Sequence, residues 1–534
     1  MRLRLFLEKK EVISDSQYGF RTGRATTDAL FVLMETVKRR SGKAYVGFLD
    51  IAKAYPSVWR DGLWFKLRNL GVEGKMWRVL QEFYSKCEVA VRVQGETQRW
   101  YEEFVGVREG CVLSPILFAM YINGLAEEVE ASGCATCLMF ADDIAFVAQS
   151  KEALQQAFDI AYRYSRKWRF DFNIGKDKSA VMVVGGEEEG DRWMLGDQEL
   201  AITSSYKYLG VGLDKEMGMA LNREMLLGKA KGGFWRAWGM GMGTRELSAK
   251  AAAYLWETLV RPVLEYAGEV GGAGEWEGAE LLQRVAGRMV LRVGKGVANE
   301  VVLGELGWWT MRGRMEMKRL MYWHKLVGLS GNGMVRRVYR EGRERLVGGT
   351  AVKGEWCEQT REILRRLGIG GIWENEQVGS HGEWKEKVRV LMSREERRRW
   401  REGMMGGKKG AKIKLSAYCR VKEKMQKEDY LGERREVVSR MVRLRAGVLS
   451  LEVETGRRYG HPRWERTCRW CGEGEVEDEV HLIDRCEAWK TQRARMWEAV
   501  REKDERQWWR VLGMSACDRV LWIMKVVGEG GCGV

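Results

Sequence analysis

Apolar residues alternate between helical and strand spacing along the N-terminal part of the chain. From Thr26 to Lys38 they recur every three or four positions, which predicts a helix. Ala44 to Ile51 and Ala180 to Val184 are short apolar runs of the kind that form buried strands. Ser114 followed by Pro115 is typical of a helix start. This order predicts an α+β fold with helices packed on one face of a sheet.

Two short apolar runs, Cys137–Phe140 and Ile144–Val147, flank the adjacent acids Asp142 and Asp143. The pattern predicts a β-hairpin whose tight turn carries two carboxylates. The apolar run upstream ends at a third acid, Asp50. Three carboxylates delivered by strand ends can hold two Mg²⁺ ions close together, which suits an in-line phosphoryl or nucleotidyl transfer.

Charge and cysteine content narrow the class of protein. The chain has 534 residues, with 91 Lys plus Arg against 75 Asp plus Glu, a net charge of +16. This excess favours nucleic acid or an anionic membrane as a partner, and a merely soluble basic surface is the alternative. No run approaches the ~20 apolar residues that a membrane span needs. Eleven cysteines in so long a chain favour an intracellular, reduced protein over a disulfide scaffold.

The second half of the chain is predicted to be helical and carries one metal-ligand pattern. Cys468, Cys471, His481 and Cys486 have the spacing C-x2-C-x9-H-x4-C. Three thiolates and an imidazole form a closed tetrahedral Zn²⁺ site, which is structural because no coordination position stays open. The alternative is that the four residues are unrelated.

Five segments occur in a fixed order along the chain. They are Gln17–Asp28, Phe48–Tyr55, Gly106–Pro115, Phe140–Asp143 and Tyr206–Gly210. Their order and content resemble the reverse transcriptases of non-LTR (LINE-like) retrotransposons, over residues 3 to 330 and more weakly to about 490. The resemblance implies a right-hand polymerase fold, in which palm and fingers share an antiparallel sheet with helices on one face. The cysteine pattern resembles the zinc knuckle that closes many such proteins.

The resemblance also implies a division of the chain into regions. It implies partial reverse transcriptase fingers and palm (1–215), a helical thumb (216–330), a basic helical connector (331–450), a CCHC zinc-knuckle region (451–500) and a tail (501–534). Family members usually carry more fingers sequence before the first motif, so an N-terminally truncated copy is expected.

Roles for individual residues follow from the resemblance. Asp50, Asp142 and Asp143 are expected to be catalytic and to bind two Mg²⁺ ions, aided by the carbonyl of Ile51. The Tyr55 ring is expected to pack beneath the incoming sugar and to exclude a 2′-hydroxyl, with ordinary core packing as the alternative.

The remaining expected contacts are to the nucleotide and to the nucleic acid. Nucleotide contacts are expected from Arg108, Gly110, Lys176 and Lys178, and nucleic-acid contacts from Arg21, Arg24, Tyr208, Leu209 and Gly210. For the lysines the alternative is a solvated turn, for Arg21 and Arg24 surface charge, and for the Tyr208 hairpin close packing. The family usually has Gln where this chain has Glu109 and Pro where it has Val112, which favours reduced activity.

Two functions remain open at this stage. The first is an RNA-directed DNA polymerase that extends a DNA primer on an RNA template from dNTPs, working in the nucleus and/or cytoplasm as the family implies. The second is a truncated, catalytically weak remnant that only binds nucleic acid. A group II intron-type maturase fits the cysteine knuckle and the thumb-like helices less well.

Overall fold

A computed structural model of the chain describes residues 2–40, 42–175, 177–186, 192–244, 246–271, 274–351, 354–405, 415–503 and 505–528. By its contacts the chain divides into two compact units. Unit 1 comprises Met1–Asn222, Glu269–Gly272 and Arg319–Val378, and unit 2 comprises Arg223–Gly268, Ala273–Lys318 and Gly379–Val534. This division assigns 319–378 to unit 1, whereas the functional regions expected from the sequence remain predictions.

The N-terminal part of unit 1 mixes helices and strands. Its helices are α1 Arg2–Lys9, α2 Thr26–Lys38, α3 Arg60–Asn69, α4 Gly74–Ser85, α5 Ser114–Ser132 and α6 Lys151–Trp168. Its strands are β1 Ala44–Asp50, β2 Glu88–Val89, β3 Arg92–Val93, β4 Glu96–Thr97, β5 Tyr101–Glu102, β6 Ala135–Phe140, β7 Asp143–Ala148, β8 Ala180–Val184, β9 Met194–Leu195, β10 Gln198–Glu199, β11 Ala201–Ile202, β12 Ser205–Tyr208 and β13 Val211–Asp214. The predicted helix, strands and hairpin are confirmed.

The rest of the chain is helical over the described residues. Its helices are α7 Ala220–Ala237, α8 Ala249–Leu255, α9 Arg261–Leu264, α10 Gly268–Gly271, α11 Glu277–Leu291, α12 Asn299–Leu306, α13 Met311–Val327, α14 Met334–Val347, α15 Trp356–Arg366, α16 Gly371–Asn375, α17 His381–Met405, α18 Ser416–Val421, α19 Arg435–Arg445, α20 Glu452–Arg458, α21 Lys490–Lys503, α22 Glu505–Leu512 and α23 Ala516–Gly528. Short π-helical turns span Trp238–Met242, Trp256–Val260 and His481–Arg485, and 3₁₀ turns span Asp429–Gly432, Arg463–Glu465 and Glu487–Trp489. None of the described helices combines the length and apolar character that crossing a bilayer requires.

The central sheet of unit 1 has five strands in the order β11-β8-β1-β7-β6. All neighbours run antiparallel except β11, which pairs parallel to β8. Because successive side chains of a strand point to opposite faces, β1 contributes to both. Gly47 lies against α6, where an added Cβ would meet the Phe158 ring at 2.5 Å. On the opposite face, Phe48 stacks on Tyr206 of β12 at 4.0 Å.

The expectation of helices on one face therefore needs a qualification. Helices α5 and α6 share a buried apolar cluster with alternate residues of β1, β6 and β7. The other face carries the β12–β13 hairpin through the Phe48 contact. Both faces of the sheet are thus covered near the end of β1, which fixes the strand ends where the acids lie.

Helix α2 anchors the later segment of unit 1. Asp28, only 1 % exposed, accepts hydrogen bonds from Tyr322 Oη at 3.0 Å and from Lys325 Nζ at 2.6 and 2.8 Å. Two turns further along α2, Glu35 accepts a hydrogen bond from the backbone N–H of Trp356 at 3.2 Å. Buried carboxylates are stable only when paired in this way, so residues 319–378 are part of the folded unit.

Unit 2 has its own core, with contributions from α8, α11, α12, α17, α18, α19 and α23. Within it Arg445, 1 % exposed, lies 3.3 Å from both Glu305 and Glu428. Lys422 also pairs with Glu428. The four charges balance in sign, which is the condition under which buried ions are tolerated.

Candidate active site and metal centre

The three acids predicted to act together lie at one end of the sheet. Strand β1 ends at Asp50 and β7 begins at Asp143, and the antiparallel register pairs these two residues directly. Directly opposed residues on neighbouring strands have Cβ atoms only about 5 Å apart. Asp142 occupies the two-residue turn between β6 and β7. Strand pairing therefore brings Asp50 and Asp143 together, with Asp142 in the adjoining turn.

The acid turn is held by the first of the five motif segments, Gln17–Asp28, which we call the fingers motif. Ala141 has a left-handed φ of 57°, as tight hairpin turns require. Its N–H donates to Gln17 Oε1 at 3.2 Å, and the same oxygen accepts the N–H of Gly19 at 2.9 Å. An added Cβ at Gly19 would lie 2.6 Å from Ala141 N. A fully buried amide thus fixes the turn that carries Asp142.

Asp50 is held by residues that follow α6. Asn173 donates its backbone N–H to the carbonyl of Asp50 at 2.8 Å and its side-chain amide to Asp50 Oδ2 at 2.5 Å. Lys178 Nζ lies 3.4 Å from the same oxygen. The hydroxyl of Ser179 accepts the N–H of Asp50 at 3.1 Å. Asp50 is thus oriented from both its main chain and its carboxylate.

Two of the three carboxyl groups have perturbed pKa values. Burial, followed by the carboxylates of Asp142 and Asp50, raises the pKa of Asp143 to about 6, partly offset by Lys178 and Lys207. Burial and Asp50 likewise raise the pKa of Asp142. Half-buried carboxylates that repel one another form a site for cations. Hard oxygen ligands of this kind are those that Mg²⁺ prefers, so the residues fit the expected metal.

The residues expected around a nucleotide lie close to the acids. Tyr55 packs edge-on against Phe118 with ring centroids 5.4 Å apart. Burial and then the carboxylates of Asp142 and Glu109 raise the pKa of its hydroxyl, so both acids lie near it. Ile51 is buried and makes a single β-bridge to Phe172. The roles expected for Tyr55 and for the Ile51 carbonyl remain predictions.

The loop before α5 is held by contacts of Arg108 with the end of α4. Arg108 donates to Cys87 Sγ at 3.3 Å and to the carbonyl of Lys86 at 3.4 Å, and its guanidinium lies over the Phe83 ring. Gly110 is exposed with φ +78° and has no atom within 4 Å of an added Cβ. Arg108 is thus anchored to the end of α4, and Gly110 borders open space.

Two lysines place positive charge beside the acids. Lys178, more than half exposed, pairs with Asp50 as described. Lys207 of β12 is exposed and lowers the pKa of Asp143. Lys176, the other expected nucleotide contact, lies outside the described residues. The sequence analysis thus named Lys178 as a candidate nucleotide contact, but it gave no role to Lys207.

The Tyr208-Leu209-Gly210 segment forms the turn of the β12–β13 hairpin. Tyr208 pairs with Val211, so Leu209 and Gly210 are the two turn residues, with φ values of 46° and 81°. Tyr208 is buried, with its ring 5.6 Å from that of Phe48. The hairpin lies beside the acid cluster because the adjacent Tyr206 covers Phe48, two residues before Asp50.

Arg21 and Arg24 make contacts within the loop that precedes α2. Arg21 Nη1 donates to the carbonyl of Ser14 at 2.7 Å, and Arg24 Nη2 pairs with Asp15 at 2.9 Å. The Arg24 guanidinium also lies over the Tyr18 ring. Both side chains brace the fingers loop, and their contact with nucleic acid remains a prediction.

The cysteine and histidine residues near the C-terminus converge as expected. The ligand atoms of Cys468, Cys471, His481 and Cys486 all lie within 4.8 Å of one another. A π-helical turn places His481 and Cys486, five residues apart, on the same side, closed by the Cys486 N–H to His481 carbonyl bond at 2.7 Å. His481 Nδ1 contacts Glu475 at 3.0 Å, leaving Nε2 towards Cys471. This donor set and its carboxylate partner are typical of zinc.

Sequence reasoning missed Gln17 and Asn173 as supports of the acids. Both lie in segments in which other residues were given roles. Gln17 precedes the arginines of the fingers motif, and Asn173 precedes the two lysines. Their partners are 124 and 123 residues away along the chain. Spacing within one segment carries no signal for contacts of that range.

Comparison with known proteins agrees with this geometry. Residues 1–213 match the family model described as reverse transcriptase (RNA-dependent DNA polymerase). The chain is 26 % identical over 227 residues to a probable RNA-directed DNA polymerase from transposon X-element of Drosophila melanogaster, covering 41 % of this chain and 25 % of the relative. It is 28 % identical over 225 residues to the RNA-directed DNA polymerase from mobile element jockey of Drosophila funebris, covering 39 % and 24 %.

Further matches are more distant. A Pol polyprotein from the type-1 retrotransposable element R2 of Nasonia vitripennis is 24 % identical, over 35 % of this chain and 20 % of the relative. Among solved structures, telomerase from Candida albicans with a fragment of telomeric RNA covers 73 % of this chain and 56 % of its own, at 12 % identity and a TM-score of 0.34. The chain spans about a quarter of the length of the curated relatives that it matches. Residues 1–213 of this chain form a reverse transcriptase domain, related to those of non-LTR elements.

Proposed function

We propose that the chain is an RNA-directed DNA polymerase that extends a DNA primer on an RNA template from dNTPs. The observation that carries this proposal is the direct pairing of Asp50 with Asp143, with Asp142 in the adjoining turn. The family match over residues 1–213 supports the same reaction.

The chemistry follows from what each side chain can do. Asp50, Asp142 and Asp143 would hold two Mg²⁺ ions, which activate a primer 3′-hydroxyl and neutralise charge on the triphosphate. Asn173 and Gln17 keep Asp50 and the Asp142 turn in place, so the carboxylates need no rearrangement before reaction. Lys178 and Lys207 supply positive charge on the same side as the acids, where the triphosphate would lie.

Tyr55 offers a means of choosing the sugar. Its ring packs on Phe118 close to the carboxylate of Asp142. A ring in that place would leave no room for a 2′-hydroxyl, the group that distinguishes ribonucleotides. The proposed polymerase would therefore select dNTPs.

Primer extension on an RNA template with Mg²⁺ tests the function. Asp142→Asn removes a charge but little volume, so we expect extension to be lost while folding and binding of a primer–template hybrid persist. Asp61→Asn changes an exposed aspartate on α3 and should extend like the unaltered chain. A correctly folded Asp142→Asn chain that still extends the primer would refute the assignment.

A second candidate function is nucleic-acid binding without polymerisation. Glu109 favours it, because its carboxylate lies near Tyr55, where it repels a triphosphate. The same assay separates the two, since tight binding of the hybrid without extension leaves only the second. Restored extension in a Glu109→Gln chain would identify that carboxylate as the cause.

For the C-terminal cluster we propose one structural Zn²⁺ ion held by Cys468, Cys471, His481 and Cys486. Elemental analysis of the purified chain should find about one zinc per molecule, as one closed site implies. Cys486→Ser should lose it, whereas Cys517→Ser, which changes an exposed thiol outside the cluster, should keep it. Zinc content that is unchanged in Cys486→Ser would exclude the site.

The proposed partners and location follow from the same reaction. RNA template, DNA primer or target, and dNTPs are its substrates, and a chain acting on them would work in the nucleus and/or cytoplasm.

A further inference from the structure

Arg60, the first residue of α3, is a buried cation that has no role in the reaction proposed above. It follows Tyr55 by five residues and is only 8 % exposed. The carboxylate of Glu103, which is one-third exposed, lies 3.5 Å from its Nη2. A buried guanidinium is costly unless its donors are satisfied. The partners of those donors therefore indicate what this side chain does.

Three backbone carbonyls of one loop accept hydrogen bonds from Arg60. Its Nε donates to Gly106 at 2.8 Å, its Nη1 to Glu103 at 2.6 Å and its Nη2 to Val105 at 3.0 Å. We call residues 103–107, which lead from β5 towards Arg108, the 103–107 loop. The planar fork of an arginine can serve several acceptors at once, which a lysine cannot. Arg60 thus fixes the shape of the loop.

The 103–107 loop is also bonded to the segment that carries Tyr55. The N–H of Val107 donates to the Tyr55 carbonyl at 2.9 Å, and the N–H of Gly106 donates to the Val58 carbonyl at 2.8 Å. Gly106 has a φ of +83°, and a Cβ added to it would lie 2.8 Å from the Pro56 carbonyl oxygen. The loop therefore packs directly on the chain that follows Tyr55.

On its other side Arg60 contacts the residues that hold Arg108. Its guanidinium lies over the Tyr84 ring, 5.4 Å from the centroid. Tyr84 Oη is 3.4 Å from Ser114 Oγ, and Ser114 Oγ donates to the Arg108 carbonyl at 2.5 Å. Contacts of Arg60 thus run both to Tyr55 and to Arg108, two residues expected at the nucleotide.

We propose that Arg60 is a positioning residue of the nucleotide pocket, which sets the fit of the pocket to the sugar by holding the 103–107 loop against the Tyr55 segment. The inference rests on the proposed polymerase function and adds a residue that acts through backbone carbonyls without touching the nucleotide. Without these donors the loop is free to move away from Tyr55. A wider pocket holds a dNTP less firmly and admits a 2′-hydroxyl more readily.

Arg60→Met tests the proposal, because it keeps an unbranched side chain and removes every donor. In primer extension on an RNA template, we expect the KM for dNTPs to rise about 10- to 100-fold and the preference for dNTPs over rNTPs to fall by a similar factor, since small displacements in a site are costly. The kcat of each active chain should change much less. A merely structural role would reduce the number of active chains and would move neither the KM nor the preference.

Arg68→Met is the matched control, because it removes an exposed arginine from the same helix and should leave both quantities unchanged. Thermal unfolding of each variant establishes whether the fold is intact. If Arg60→Met does not fold, Arg60→Lys takes its place, since it keeps the charge but replaces the fork by a point donor. An unchanged KM and an unchanged sugar preference in the folded variant would overturn the proposal.

A binding measurement separates this outcome from that of the polymerase assay. It compares dATP with ATP on the chain bound to a hybrid whose primer lacks a 3′-hydroxyl and whose next template base is uracil. In a chain that fails to extend primers, a preference for dATP that Arg60→Met loses would support the role of Arg60 and reject the polymerase. Equal affinity of the unaltered chain for the two nucleotides would overturn the role of Arg60. Normal extension with nucleotide affinities that do not depend on Arg60 would support the polymerase and reject that role.

Discussion

At the scale of single residues, the end of the sheet that carries the three acids depends on side chains outside the acid cluster. Asp50 is fixed by Asn173 at its carbonyl and at one carboxylate oxygen, and Lys178 faces that same oxygen. Gln17 holds the turn with Asp142 by accepting the N–H of Ala141. A substitution of Asn173 or Gln17 should therefore displace the carboxylates even though the acids themselves are unchanged.

Replacing Asn173 with Ala tests this dependence. The carboxylate of Asp50 loses a donor and gains rotational freedom, so we expect about 10- to 100-fold lower activity and a higher Mg²⁺ requirement, as is usual when the partner of a metal ligand is removed. The Mg²⁺ dependence of primer extension measures this. Asn69→Ala, at the end of α3, is the control. A normal Mg²⁺ requirement in folded Asn173→Ala would show that Asp50 needs no such support.

What the sequence could predict at this scale depended on the range of the contact. The adjacent pair Asp142-Asp143 between apolar runs identified its own hairpin. The pairing of Arg24 with Asp15 crosses only nine residues, yet nothing in the pattern distinguished it from a free surface charge. Asn173 reaches Asp50 across 123 residues, and Lys207 reaches Asp143 across 64, so both contacts form only when distant segments come together.

At the scale of elements, the fingers motif pairs with β6 like a short extra strand of the sheet. Gln17 bridges Met139 of β6, flanked by bonds of 2.8 Å from Tyr18 N to the Met139 carbonyl and from Met139 N to the Ser16 carbonyl. Gly19 then touches the acid turn. The position of the acid turn therefore depends on a segment that precedes it by more than a hundred residues.

Gly19→Ala should disturb that contact directly. The new methyl group would lie 2.6 Å from Ala141 N and 3.1 Å from Gln17 Oε1, so the segment must move away from the turn. We expect primer extension to slow by about 10- to 100-fold, because small displacements of reacting groups are costly. Gly228→Ala in α7 meets no atom within 4 Å and should extend normally. Unimpaired turnover in Gly19→Ala would mean that the turn holds its place unaided.

At the scale of the whole molecule, the sequence did not predict which segments make up unit 1. Apolar periodicity identifies a helix but not the helix it packs against, and residues 319–378 look like a continuation of the helical region before them. Asp28 and Glu35 stand among mostly apolar residues of α2, and the structure buries both side chains. Their partners, Lys325 and the N–H of Trp356, lie about 300 residues further on.

Lys325→Met tests how firmly the two segments are joined. It leaves the carboxylate of Asp28 buried without its cation, which should lower the free energy of unfolding by about 3 kcal/mol. Hydrogen exchange of the α2 amides reports unit 1 alone and measures the change. Lys75→Met removes an exposed lysine from α4 and should have no effect. The double variant Asp28→Asn/Lys325→Met should recover part of the lost free energy. If hydrogen exchange of the α2 amides is unchanged in Lys325→Met, the buried ion pair does not join the two segments.

The pairing of Asp50 with Asp143 has a consequence for how such a chain can change. Side chains on a strand alternate between faces, so losing or gaining one residue in β1 or β7 would turn one carboxylate to the far side of the sheet. Substitutions along these strands can be absorbed by repacking, but a change of length cannot. A variant that lacks one residue of either strand should therefore fail to extend a primer, even when all three aspartates remain.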